Sequence, residues 1–167
     1  INNRGGLERV SRMRALEKKL SLDRKQVYLN FADKVNEVRS ALKKFVKGEV
    51  KKGKKIYIYG ASTRGNTLIL ACGLDHRFIK AASERNKDKW GKKIASSGIP
   101  IISEEKARED HPDYFLVLPW FFRQEFLERE KEYLISGGKM IFPLPELEIV
   151  SLKGGKIEAV PLRGKKY

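Results

Sequence analysis

The sequence predicts an α/β fold: a Rossmann-like, three-layer domain with a mostly parallel sheet, preceded by an N-terminal helical arm and followed by a short β-hairpin. Three observations carry this. Short apolar segments alternate with amphipathic ones from residue 55 onward, the pattern of a parallel sheet covered on both faces. A glycine turn, Gly60 to Gly65, joins the first of these apolar runs to a helical segment. The first third of the chain instead holds only helical periodicity.

In the arm, Leu7, Val10, Met13, Leu16 and Leu20 fall at helical spacing. Asp23 and Gln26 form a capping box for a second helix. Its apolar stripe is Val27, Phe31, Val35, Val38, Leu42 and Phe45. Gly48 and the basic run Lys51-Lys52-Gly53-Lys54 close it. We assign residues 1–53 to the arm and 54–167 to the sheet domain. In the latter, strands are expected at 55–60, 78–83, 114–119 and 139–143, and helices at 65–73, 103–110 and 122–135. Gly137-Gly138 stops the last helix. Glu148–Leu152 and Lys156–Val160, joined across Gly154-Gly155, read as the hairpin. The polar stretch 85–98 reads as a mobile lid or ligand-side loop.

Charge is unevenly distributed. The chain carries a formal +15, and residues 1–55 alone hold 17 basic against 6 acidic side chains, a net +11. Nucleic-acid binding is one reading of such an excess. A solvated lysine-rich helix surface, or a face toward an acidic partner, is the other. No aromatic residues are interleaved as a base-stacking platform requires. The single cysteine, Cys72, excludes an intrachain disulfide and a multi-cysteine metal site, and fits a reducing, cytoplasmic setting. No run is long and apolar enough to span a bilayer, and no signal peptide is visible. With Ile1 in place of an initiating Met, we expect a fragment or processed chain.

The turn concentrates the chemistry. A strand, a glycine turn and a helix start aim N–H groups and the positive end of a helix dipole at one point, where a phosphate commonly sits. Gly60, Ala61, Ser62, Arg64, Gly65, Asn66 and Thr67 are the candidate binding residues. Ser62 stands where a dinucleotide fingerprint has its central glycine, which weakens an NAD reading; its hydroxyl can donate to a phosphate or merely cap the helix. Asn66 stands where a P-loop has its lysine, which argues against NTP hydrolysis. Glu84, followed by Arg85 and Asn86, ends the second strand. A carboxylate there accepts ribose hydroxyls or is simply solvated. Trp120 ends the third strand, as crevice wall or as core. His76 and His111 lack the neighbours of a triad or metal site, and nothing reads as a catalytic nucleophile or base.

Six motifs occur in order: Tyr59 to Thr67 (YGASTRGNT), Glu84-Arg85-Asn86, Gly98 to Ile101 (GIPI), Pro112-Asp113-Tyr114, Leu118-Pro119-Trp120, and Gly137-Gly138-Lys139 through Pro143 to Glu146 (PLPE). Together they resemble the C-terminal domain of S-adenosylmethionine-dependent C-methyltransferases acting on nucleotide-linked deoxysugars, over roughly residues 5–150. The resemblance implies that Gly5-Gly6 form a strand following the methyltransferase domain and that residues 27–45 form linking helices. It implies a zinc module and a methyl-donor domain elsewhere in the full enzyme, with S-adenosylmethionine and zinc bound there and no cofactor, metal or catalytic residue in this part. It further implies a cleft between domains for an NDP-4-keto-deoxysugar, deprotonated beside its keto group and then methylated on carbon. Arg64 replaces a usual lysine, Lys87 a common proline, Ala95 to Gly98 a Pro-Gly-Thr-His-like run, and Phe121 a His or Asn. These departures bear on the substrate more than on the fold. The rival readings are a free-standing nucleotide- or NAD-binding regulatory module and a basic partner- or RNA-binding domain.

Overall fold

The computed structural model describes residues 4–162. The chain separates into two compact units, Ile1–Glu37 and Val38–Tyr167. The extreme ends of the expected arm and sheet domain, residues 1–3 and 163–167, lie outside the described residues.

The first unit holds helix α1 (Arg4–Lys19) and the start of α2 (Lys25–Lys51). Gly5-Gly6, expected as a strand, lie inside α1. α1 runs through them despite the low helix propensity of glycine. Between the two helices Ser21 takes a left-handed φ of 54°, and the Tyr28 hydroxyl fastens the connection by donating to Leu22 O (2.7 Å). Gln26 does not reach back as in a capping box; its amide donates along the helix to Asn30 Oδ1 (2.8 Å). Leu7, Met13 and Phe31 remain exposed.

The second unit is built on a seven-stranded sheet. Its strands are β1 (Ile56–Tyr59), β2 (Ala82–Glu84), β3 (Ile101–Ser103), β4 (Tyr114–Val117), β5 (Lys139–Phe142), β6 (Glu148–Lys153) and β7 (Lys156–Pro161). The order across the sheet is β3-β2-β1-β4-β5-β6-β7. The first five strands run parallel; β6 and β7 pair antiparallel as the expected hairpin. The fold is therefore mixed α/β and Rossmann-like.

Strand alternation makes the three layers. Ile56 and Ile58 of β1, with Leu116 of β4 and Ile141 of β5, face a core shared with Leu42 and Val46 of α2 and Ile69 of α3 (Thr63–Ala71). Tyr57, Tyr59, Phe115, Val117 and Met140 face the opposite core. There Ala107 of α4 (Glu104–Glu109), Phe126 of α5 (Arg123–Arg129) and Leu134 of α6 (Lys131–Ile135) cover them.

Four local expectations change, the first being that the strand expected over 78–83 is only Ala82–Glu84. β3 is a further strand of only three residues behind Pro100, too short to show periodicity. The helix expected over 122–135 is a 3-10 turn (Trp120–Phe122) followed by α5 and α6, broken at Glu130. The break turns the Glu130 carboxylate inward, where it is 2% exposed. The stretch 85–98 is folded down rather than detached. Trp90 Nε1 donates to Glu84 O (2.8 Å), Lys93 bridges to Pro100, and Ile94 is buried.

Candidate functional site

The carboxyl ends of β1 and β4 diverge at the point where the strand order reverses, which is where open α/β sheets bind ligands. The glycine turn lies there. Gly60 takes φ +80°, and a side chain on it would meet the Pro119 ring at 2.8 Å. A Cβ on Gly65 would meet Leu118 at 2.3 Å. Gly65 therefore lets α3 lie against Leu118, and Gly60 lets the turn pass close to Pro119, both just beyond β4. Ser62 is the N-cap of α3, its Oγ accepting from Gly65 N–H (3.1 Å).

A cleft of about 340 Å³ opens at this edge. One side is formed by the ends of β1 and β2, with Gly60, Ala61, Ser62, Ser83, Glu84 and Arg85. Lys89 closes that side. The facing wall is α5 and the turn before it, through Phe122, Glu125, Phe126 and Arg129, together with Glu104 and Pro119. Of the expected site residues, Gly60, Ala61, Ser62, Glu84 and Arg85 line the cleft.

The others stand elsewhere. Gly65 is buried against Leu118. Arg64 is exposed, its guanidinium 5.6 Å from the Phe121 ring centre. Asn66 is partly buried, with an Oδ1 that has no hydrogen-bond partner among the described residues. Thr67 is exposed. Asn86 caps the next turn, its Oδ1 accepting from Asp88 N–H (2.9 Å). Trp120 packs against the core and edge-on to Phe121, with 6.1 Å between ring centres.

Glu84 is held by the chain itself. Its Oε2 accepts from Ala61 N–H (3.2 Å) and Lys89 Nζ (2.9 Å); its Oε1 accepts from Arg85 N–H (3.0 Å) and Asn86 N–H (3.1 Å). Burial pushes this carboxyl up, but the Asn86 N–H, the Lys89 ammonium and the Arg85 N–H outweigh it, and the net shift is downward from 4.5. With about four acceptor positions on a carboxylate, none is left for a ribose hydroxyl unless a protein donor lets go.

Beneath the cleft runs a charged network that the sequence did not reveal. Glu130 accepts from the Tyr59 hydroxyl (2.7 Å) and from Arg108 Nη2 (2.6 Å). Arg129 donates to Glu104 Oε1 (2.7 Å) and to the Tyr59 hydroxyl. Burial holds the Glu104 carboxyl above its ordinary value; the Arg108 charge opposes this and the Glu130 charge adds to it. Phe122, Glu125, Phe126 and Arg129 recur at spacings of three, one and three, one face of a helix beginning at the sheet's carboxyl edge. That periodicity is the signal that identifies this wall. Lys89 and Arg129 are committed to ion pairs, whereas exposed Arg85 makes none among the described residues. No three His, Cys, Asp or Glu side chains among the described residues are arranged to hold a metal ion.

A Rossmann-like domain with a ligand-sized cleft at its switch point is the class that fold and site define. The chain belongs to the C-methyltransferase C-terminal domain family, whose model matches residues 2–145. It is similar to the C-methyltransferase NovU of Streptomyces niveus, with 39% identity over 142 residues, covering 85% of this chain and 34% of that protein. The chain thus spans about a third of the length of this curated relative.

Proposed function

We propose that this chain is the sugar-nucleotide-facing C-terminal domain of an S-adenosylmethionine-dependent C-methyltransferase acting on an NDP-keto-deoxysugar in the cytoplasm. Residues 1–53 link it to the rest of the enzyme, and residues 54–167 form one wall of the substrate site. The observation that carries this reading is the cleft at the carboxyl edge. It combines aromatic faces (Phe122, Phe126), hydroxyl-binding groups (Ser83, Glu104, Glu125) and an exposed cation, Arg85, that makes no ion pair among the described residues and acts on Glu104 only through its charge. Membership of the C-methyltransferase family supports the reaction class.

Arg85 is the group here suited to a phosphate, through charge-assisted hydrogen bonds. Gly60, Ala61 and Ser62 shape the floor. Arg64, Gly65, Asn66, Thr67, Asn86 and Trp120 support the turn and rim rather than touch ligand. These residues do not fit S-adenosylmethionine. The strand-end carboxylate that would take its ribose hydroxyls is saturated by protein donors. In this reading the methyl donor, the zinc and the acid–base groups belong to other parts of the enzyme. The contribution of this chain is to bind and orient the acceptor.

Calorimetric titration with an NDP-sugar, NAD and S-adenosylmethionine tests the proposal. Binding of the NDP-sugar alone is expected. Binding of NAD with none of the NDP-sugar would contradict it.

A further inference from the structure

The wall of the cleft that carries Phe122 and Glu125 begins without a cap. Neither the 3-10 turn Trp120–Phe122 nor α5 has a side chain accepting from the N–H groups at its start, the usual means of fixing a helix N-terminus. Phe126 and Leu127 are buried and hold the body of α5. Phe122 and Glu125, nearer its start, are exposed. The first residue of α5 is Arg123, a cation at the end of the helix where the dipole disfavours one.

Glu148 of β6 answers this. Its Oε1 accepts from Arg123 Nε at 2.6 Å, and its side chain is 21% exposed, so water screens the pair only in part. The Arg123 guanidinium also lies 5.3 Å from the centre of the Phe142 ring. Phe142 and Glu148 are register partners, so one side chain spans β5 and β6 at the carboxyl end of β5. β6 is itself firmly seated: Val150 is fully buried in the core that holds Phe126 and Leu127. Neither Arg123 nor Glu148 lines the cleft. The family match ends at residue 145, before β6 begins, and does not cover Glu148.

We infer that Glu148 is a positioning residue for the cleft. Acting through Arg123, it fixes the start of α5 and with it the placement of Phe122 and Glu125 opposite Arg85. The terminal hairpin thereby helps to set which ligand the cleft fits. The identity of that ligand rests on the sugar-nucleotide reading above; the bracing of α5 does not.

The test combines hydrogen exchange of the free protein with titration of dTDP-glucose, on wild type, Glu148→Gln, Arg123→Gln and the double variant. Without the pair, the ligand must itself draw the wall into place, and the affinity lost is bounded by what a partly exposed pair supplies. Glu148→Gln is expected to weaken dTDP-glucose by about fivefold. Exchange is expected to quicken at the α5 amides and not at those of β4. The double variant is expected to be no weaker than the more affected single one, because the two side chains act through each other. Equal acceleration in β4 and α5 would mean a general loss of stability and would overturn the inference. Unchanged α5 exchange, or single losses that simply add, would overturn it too. If dTDP-glucose does not bind wild type, the sugar-nucleotide reading fails, and α5 exchange in the same variants still judges Glu148.

Discussion

Gly65 shows how tightly single residues define this site. Its missing side chain lets α3 lie against Leu118, which is fully buried at the end of β4. Gly65→Ala places a carbon 2.3 Å from that leucine, and neither partner has free space to yield. A loss of roughly 1–3 kcal/mol is expected, the usual cost of overpacking, measurable by chemical denaturation. Glu84 sets a pH dependence of definite sign. Its folded pKa lies below the ordinary 4.5, so its contribution is present above that value and is lost as the pH falls through the folded pKa. Glu104 acts in the opposite sense: raised above 4.5 in the fold, it favours the folded state at low pH and disfavours it as the pH rises through its folded pKa. Stability measured between pH 5 and pH 3 is expected to fall less steeply in Glu84→Gln than in wild type. A parallel pair of curves would remove Glu84 from this role.

At the scale of elements, the break between α5 and α6 is organised around Glu130. This carboxylate is nearly inaccessible and depends on Arg108, Arg129 and Tyr59 for its partners. Arg108→Met leaves it short of its main ion pair, and a destabilisation of roughly 3 kcal/mol is expected, at the lower end for breaking a buried pair because Tyr59 and Arg129 remain. Restoring stability with Glu130→Gln in the same chain is the matching control. Cys72, at the C-terminal end of α3, is 2% exposed, and burial pushes its thiol up to about 11. It is expected to react with a thiol-specific disulfide reagent only as fast as the domain opens, and fully in denaturant.

The sequence exposed some of these elements and hid others for physical reasons. The strands at β1, β4 and β5 and the hairpin across Gly154-Gly155 were legible because apolar runs and turn residues are local signals. β3, three residues long, offers no period to read. The inward Glu130 was hidden because a glutamate amid a helical pattern looks like solvated surface until Tyr59 and Arg108, far off in sequence, are seen beside it. Glu84 was legible as a strand-end carboxylate. Its partners were not, because three of them are backbone N–H groups, which carry no side-chain signature.

For the whole molecule, sheet topology explains why the cleft lies where it does. Strands leave β1 in two directions, β2 and β3 to one side and β4 onward to the other, so their carboxyl ends part at Gly60 and Pro119. No helix among the described residues is long and apolar enough to cross a membrane. The far edge of the sheet, β7, is exposed along its length and ends in Pro161, a residue that discourages further strand pairing.

The central claim is that the cleft between the β1 and β2 ends and α5 holds a sugar nucleotide. Titration of the isotope-labelled protein with dTDP-glucose, followed through amide resonances, tests it most directly. Saturable shifts are expected at Ser83, Arg85, Phe122, Glu125 and Arg129, weakened in Arg85→Gln. Binding that moves none of these, or an absence of binding alongside saturable binding of NAD, would contradict the claim.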